Sequence, residues 1–123
     1  MDTVSIRIPA SPVYLSVVRL IASGLASRLQ FTIDEIEDLK IAVDELSAYL
    51  TGTQGREGTL DITFTIQDDR IEIKGAGKFS PGEKVRTELT EFSRMILETV
   101  ADEAALDRTN GVPTFNIVKS KGS

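Results

Sequence analysis

Residues 17–46, VVRLIASGLASRLQFTIDEIEDLKIAVDEL, decide the fold, because they read as two consecutive amphipathic helices joined by a short turn. Just upstream, Ser11-Pro12 supplies an N-cap followed by proline at the first helical position, and apolar residues recur at Val13, Val17, Leu20, Ile21, Leu25 and Leu29. A first helix over about 12–29 follows. Thr32 and Glu35 have the spacing of a capping box, in which the two side chains satisfy free amides of a helix start. With Ile36, Leu39, Val43, Leu46 and Leu50 behind them, they predict a second helix over about 33–51.

Outward from these helices the period changes. Val4, Ile6 and Ile8 alternate with Ser5 and Arg7, the signature of a strand with one buried face, and Pro9 closes it. Residues 51–58, TGTQGREG, have the composition of a surface loop before strands at 60–66 and 70–74, with Asp68-Asp69 as the hairpin turn. GAGKFSPGEK reads as a second loop. A helix of about four turns comes next, with Leu89, Phe92, Ile96, Leu97 and Val100 inward. Asn110-Gly111 marks a turn, 114–118 a last strand and 119–123 a frayed tail. The order implies an α+β fold, a two-layer sandwich whose three helices cover one face of a mainly antiparallel sheet. At 123 residues the chain is expected to form a single domain over 1–123.

Composition removes several function classes. Without cysteine there are no disulfides, thiolate nucleophiles or zinc-cysteine sites, and without histidine the usual imidazole base and metal ligand are missing. No metal site is expected, and proton transfer falls to a carboxylate or lysine. Fourteen basic against nineteen acidic side chains give a formal charge of −5, which disfavours a nucleic-acid surface. No apolar run approaches the roughly 20 residues of a membrane span, and a cytoplasmic location is expected.

On the second helix, Ile41, Ala42, Glu45, Ala48 and Tyr49 fall on adjacent rows of one face. The pattern admits two placements for Glu45. Among apolar neighbours, desolvation disfavours its charged form and makes it a better base near neutral pH; at the edge of the stripe it faces water. Asp34, Glu35, Glu37 and Asp38 read as solvated charge that complements the helix dipole. In GAGKF, Gly75 and Gly77 permit either a plain turn or close approach of a ligand to the backbone. Lys78 is placed to meet a phosphate or to face solvent. Arg19, off the main stripe of the first helix, is either solubilising or a contact at a protein interface.

The continuous string SGLASRLQFTIDEIEDLKIAVDE, with the strand order and the F-x-I pattern at Phe115 and Ile117, resembles the anti-sigma factor serine kinases of the RsbW and SpoIIAB type, within the histidine-kinase-like ATPase superfamily. The resemblance implies a sandwich that typically dimerises. It also implies a protein that holds an alternative sigma factor away from RNA polymerase and, in active kinases, phosphorylates a serine of an anti-anti-sigma (STAS-type) antagonist using Mg·ATP. By position, Glu45 matches the family's general base and Arg19 a partner-binding arginine of the first helix.

Three departures stand beside those matches. Four residues after the glutamate the family carries asparagine, whose amide oxygen ligates Mg²⁺; here the residue is Tyr49, and a neutral phenol is a poor magnesium ligand. The family's D-x-G-x-G motif, whose aspartate reads adenine, is replaced by Gly75, Ala76, Gly77, Lys78 and Phe79. The glycine-rich lid has no counterpart in PGEKVRTELTEFSRMIL. Tyr49, Gly75, Gly77 and Lys78 are therefore the candidate remnants of a cofactor site. The expected function is sequestration of a sigma factor with weak or lost ATP binding and no cofactor. The alternative is an active serine kinase that uses ATP and Mg²⁺.

Overall fold

Alternating side chains and two tight turns build the sheet. In the computed structural model, which describes residues 1–122, β1 (Asp2–Pro9) pairs antiparallel with β2 (Gly58–Gln67), so that Val4, Ile6 and Ile8 lie opposite Phe64, Ile62 and Leu60. β2 turns at Asp68-Asp69 into β3 (Arg70–Phe79), with Asp68 at φ 56°, a conformation that Asp tolerates. β4 (Glu103–Thr109) and β5 (Val112–Ser120) are joined through Asn110 and Gly111, whose φ of 52° and 79° suit a type I′ turn. The sheet order is β1-β2-β3-β5-β4, with every neighbouring pair antiparallel.

α1 (Leu15–Arg28), entered through a 3-10 turn at Pro12–Tyr14, α2 (Ile33–Thr51) and α3 (Glu91–Val100) cover one face of this sheet. The capping box forms as read: the Thr32 hydroxyl accepts from the Glu35 N–H at 3.1 Å, and Glu35 accepts from the Thr32 N–H at 2.7 Å. α2 is central, packed against α1, α3 and β5. Its Leu39, Val43, Leu46 and Leu50 are fully buried against Leu60, Ile62, Phe64, Ile73 and Ile117. Each such side chain contributes about 1.5–3 kcal/mol by leaving water.

Several sequence expectations are corrected. The sheet has a fifth strand, β4, whose EAALDRT lacks the β-branched alternation that marks a strand; it buries only Leu106 and is held by pairing with β5. GAGKF is not a loop but the end of β3, its low strand propensity outweighed by ladders to β2 and β5. α3 is ten residues long, and Phe92 points outward at 71% exposure, while Leu89 packs on the core from outside the helix. The buried line of α1 is Leu15, Val18, Ala22 and Ala26, with Ile21, Leu25 and Leu29 packed half-buried beside it as expected, while Val13 and Leu20 are 76% and 72% exposed. Ala22 and Ala26 are fully buried but too small to stand out in a hydrophobic pattern. Nor is the C-terminal segment frayed through residue 122. Lys119 is buried and donates to the Val100 carbonyl at 3.0 Å, and the Gly122 N–H donates to Glu35 at 2.7 Å. Ser123 lies outside the described residues.

Candidate functional site

Glu45 and Tyr49 stand one turn apart on α2 and both face the start of α3, where neither is fully buried nor fully exposed. Thr90 caps α3 by accepting from the Ser93 N–H at 3.0 Å. The Ser93 hydroxyl, inside the first turn, donates to Glu45 Oε2 at 2.6 Å. It lies 2.8 Å from the Tyr49 hydroxyl, which donates to it, and 3.0 Å from Thr90 Oγ1. Tyr49 in turn accepts the Thr90 backbone N–H at 3.0 Å. Burial opposes ionisation of the Tyr49 phenol, but its hydrogen bonding with Ser93 and with Thr90, whose backbone N–H it accepts, outweighs burial and holds the phenol below its usual value. Glu45 is thus a hydrogen-bonded carboxylate at the α2–α3 junction, a third placement beyond the dry pocket and the wet surface.

The far end of α2 is fastened by Arg56, a residue the sequence reading did not single out. Its guanidinium donates to the carbonyls of Leu50 at 2.8 Å, Tyr49 at 3.2 Å and Lys84 at 3.0 Å, and stands 6.0 Å above the Phe79 ring. Unpaired carbonyls at a helix C-terminus attract a nearby cation, so the lone arginine of TGTQGREG was the available signal. The connection from β3 to α3 is held along its length. The Ser80 N–H donates to the Glu57 carbonyl at 3.1 Å, Arg108 reaches the Val85 carbonyl at 2.7 Å, and Thr90 meets Tyr49.

Gly75 and Gly77 lie on the inner side of β3, on the same face as Ile71 and Ile73. The Phe115 ring, opposite Gly75 on β5, covers it so closely that a Cβ there would overlap the ring. The Phe79 ring covers Gly77 in the same way. The missing side chains therefore make room for aromatic rings of the chain itself. Lys78 alternates to the opposite, helix-free face of the sheet, where it pairs with Asp61 at 3.3 Å and is well exposed. It is not brought to Glu45. Asp61 also accepts from Arg7 at 2.6 Å, and chiefly that bond holds its carboxyl below the usual range. Arg19 donates to Asp44 at 2.6 Å, bridging α1 to the residue that precedes Glu45. Surface cavities of roughly 350–440 Å³ lie along β4 and α3, on the helix-free face of the sheet, beside the 80–85 connection and beside β1; Glu45 and Tyr49 line none of these. No helix among the described residues is long and apolar enough to cross a membrane.

The five-stranded antiparallel sheet, its three covering helices and the glutamate on the central helix define a two-layer sandwich of the histidine-kinase-like ATPase type. Over 90% of its length the chain is 31% identical to the serine-protein kinase RsbW of Bacillus subtilis (strain 168), covering 81% of that protein. It is 32% identical to the RsbW of Bacillus licheniformis with the same coverage, and 40% identical to that of Bacillus pumilus over a shorter stretch, 63% of this chain and 51% of the relative. No family model matches the chain. At this identity and coverage the chain belongs to the RsbW-type family of anti-sigma factor serine kinases.

Proposed function

We propose that this protein is an anti-sigma factor that sequesters an alternative sigma factor by direct binding, and that its nucleotide site is weak or lost. The observation that carries the second half is the Phe115 ring seated on Gly75, the position at which the family places its adenine-reading aspartate. A carboxylate cannot be restored there without displacing the ring, and losing a hydrogen bond to a charged group costs about 1.5–3 kcal/mol. Tyr49 supports the same reading. Its phenol stands where a compact oxygen ligand for Mg²⁺ is needed, and it is engaged with Ser93 and Thr90 instead. The residues present do not fit Mg·ATP.

Sequestration draws on the helical layer. Arg19 on α1 is one third exposed and Leu20 is 72% exposed, so this helix offers both a charged fork and an apolar side chain to a partner. Release then comes from competition by an antagonist of the STAS type, and the homodimer typical of the family is part of the proposal. Retention of Glu45 favours a second reading, an active kinase, in which that carboxylate takes the proton of an acceptor serine. Phosphoryl transfer also needs positioned metal and phosphate contacts, and Lys78, on the other face of the sheet, supplies none beside Glu45.

Pairwise binding to purified alternative sigma factors, without nucleotide, tests the proposal. Tight binding to one of them that is unchanged by adding Mg·ATP is expected. Binding to none, or only with nucleotide present, would overturn it.

A further inference from the structure

The hydroxyl of Ser93 is not needed for the cap of α3, which uses the Ser93 backbone N–H. A capping box would carry Glu or Gln at this position, reaching back to the N-cap. Here a serine, 4% exposed, turns its hydroxyl to α2 instead. Its single proton goes to Glu45 Oε2, and it has accepting contacts with Tyr49 at 2.8 Å and Thr90 Oγ1 at 3.0 Å. A hydroxyl offers one donor and two lone pairs, so its capacity is fully used.

A serine kinase with a carboxylate base must bring an acceptor hydroxyl within about 2.6–3.2 Å of that base. Ser93 already holds that relation to Glu45, at 2.6 Å. We propose that Ser93 is an internal stand-in for an acceptor serine, a positioning residue that occupies the Glu45 carboxylate and is locked there by Tyr49. This rests on the reading of Glu45 as the family's base position. It gives the replacement at Tyr49 a purpose. The phenol is long enough to cross from α2 to α3, where it holds both Ser93 and the Thr90 amide. An incoming serine would have to displace a saturated hydroxyl from inside the fold, not merely a water. Both the metal-ligand position and the acceptor position are then filled by one contact between α2 and α3.

Carbodiimide labelling of carboxylates, read by mass spectrometry on the full chain, tests the contact. Ser93→Ala should raise the labelling rate of Glu45 by about tenfold, the factor expected for loss of a hydrogen bond to a charged group, while Glu37 and Glu98 label as before. Ser93→Thr, which keeps the hydroxyl, should restore slow labelling. A spectroscopic signature runs in parallel. With Tyr14→Phe leaving Tyr49 the sole tyrosine, absorbance titration should show the phenol ionising below its usual value of about 10, and Ser93→Ala, which removes the acceptor of its proton, should shift that titration. Should Ser93→Ala fail to fold, Tyr49→Phe, which removes the lock but leaves the Ser93 hydroxyl on Glu45, should raise Glu45 labelling by a smaller factor. Equal Glu45 labelling in parent and variants, or slow labelling unaffected by either substitution, would overturn the proposal. Calorimetry with Mg·ATP on the parent judges the lost-nucleotide reading separately, so the two cannot fail as one.

Discussion

The Tyr49 hydroxyl lies 2.8 Å from Ser93 Oγ, joining α2 to α3 across forty-four positions of chain. Through that one contact Tyr49 becomes part of the fold's bracing. The phenol neither dangles in an empty pocket nor packs as a purely apolar plug. It is partly buried, with a donor and an acceptor both in use.

Gly75→Ala should destabilise the protein by about 1–3 kcal/mol, because the added methyl meets the Phe115 ring in a closely packed core. In a Phe115→Leu background the same substitution should cost less, with a coupling of about 0.5–3 kcal/mol. Urea midpoints of the four proteins measure this. Additive effects would mean that the ring and the glycine are not in contact.

Arg56→Ala should leave the Leu50, Tyr49 and Lys84 carbonyls without their guanidinium partner. A loss of about 1–3 kcal/mol is expected. Amide exchange should accelerate at Ser80 and Glu83 in the adjoining connection, with the core amides of β2 and β3 slowed as in the parent. Unchanged exchange there would show that Arg56 does not fasten it.

Glu35 provides the acid response. Its carboxylate accepts the Thr32 N–H and then the Gly122 N–H, and these bonds hold it below the usual glutamate value of about 4.3. The unfolded chain therefore binds the proton first as pH falls. The stability Glu35 contributes is complete above the unfolded value and is lost as pH drops through the folded one. Denaturant midpoints for Glu35→Gln should accordingly fall less steeply below about pH 4.5 than those of the parent. Parallel curves would remove Glu35 from the acid response.

Arg19→Ala should change stability by less than about 1 kcal/mol, because its ion pair with Asp44 is well exposed on the Asp44 side and partly so at Arg19. Affinity for the sigma factor should nevertheless fall by at least about tenfold, as expected for an arginine anchor. Surface plasmon resonance separates the effects. Undiminished affinity would move the partner surface away from α1.

How far the sequence was legible follows the range of the interactions. α2 was readable to the residue because its capping box and apolar stripe are local. On α1, Ile21, Leu25 and Leu29 pack on the core as their spacing suggests, whereas Val13 and Leu20 face solvent and the buried line runs through Ala22 and Ala26, residues too small to stand out in a hydrophobic pattern. β4 was missed since an edge strand such as EAALDRT takes its conformation from β5. Glu45 and Tyr49 were legible as neighbours on one helix face; their meeting with Ser93, forty-eight and forty-four positions away, was not. The glycines of GAGKF are visible in the sequence, but their partners are rings, one of which lies on another strand. Lys78 went to the helix-free face by strand alternation, which became visible only once GAGKF was known to be a strand.

On the proposed reading, Phe115 over Gly75 and Tyr49 against Ser93 close the nucleotide site of this sandwich with its own side chains. Isothermal calorimetry of the purified protein with ATP, with and without Mg²⁺, tests it most directly. No saturable heat is expected up to about 1 mM ATP, an interaction weaker than about −4 kcal/mol. Magnesium-dependent binding near micromolar would contradict it, and would show that residues other than Tyr49 and Gly75 hold the nucleotide.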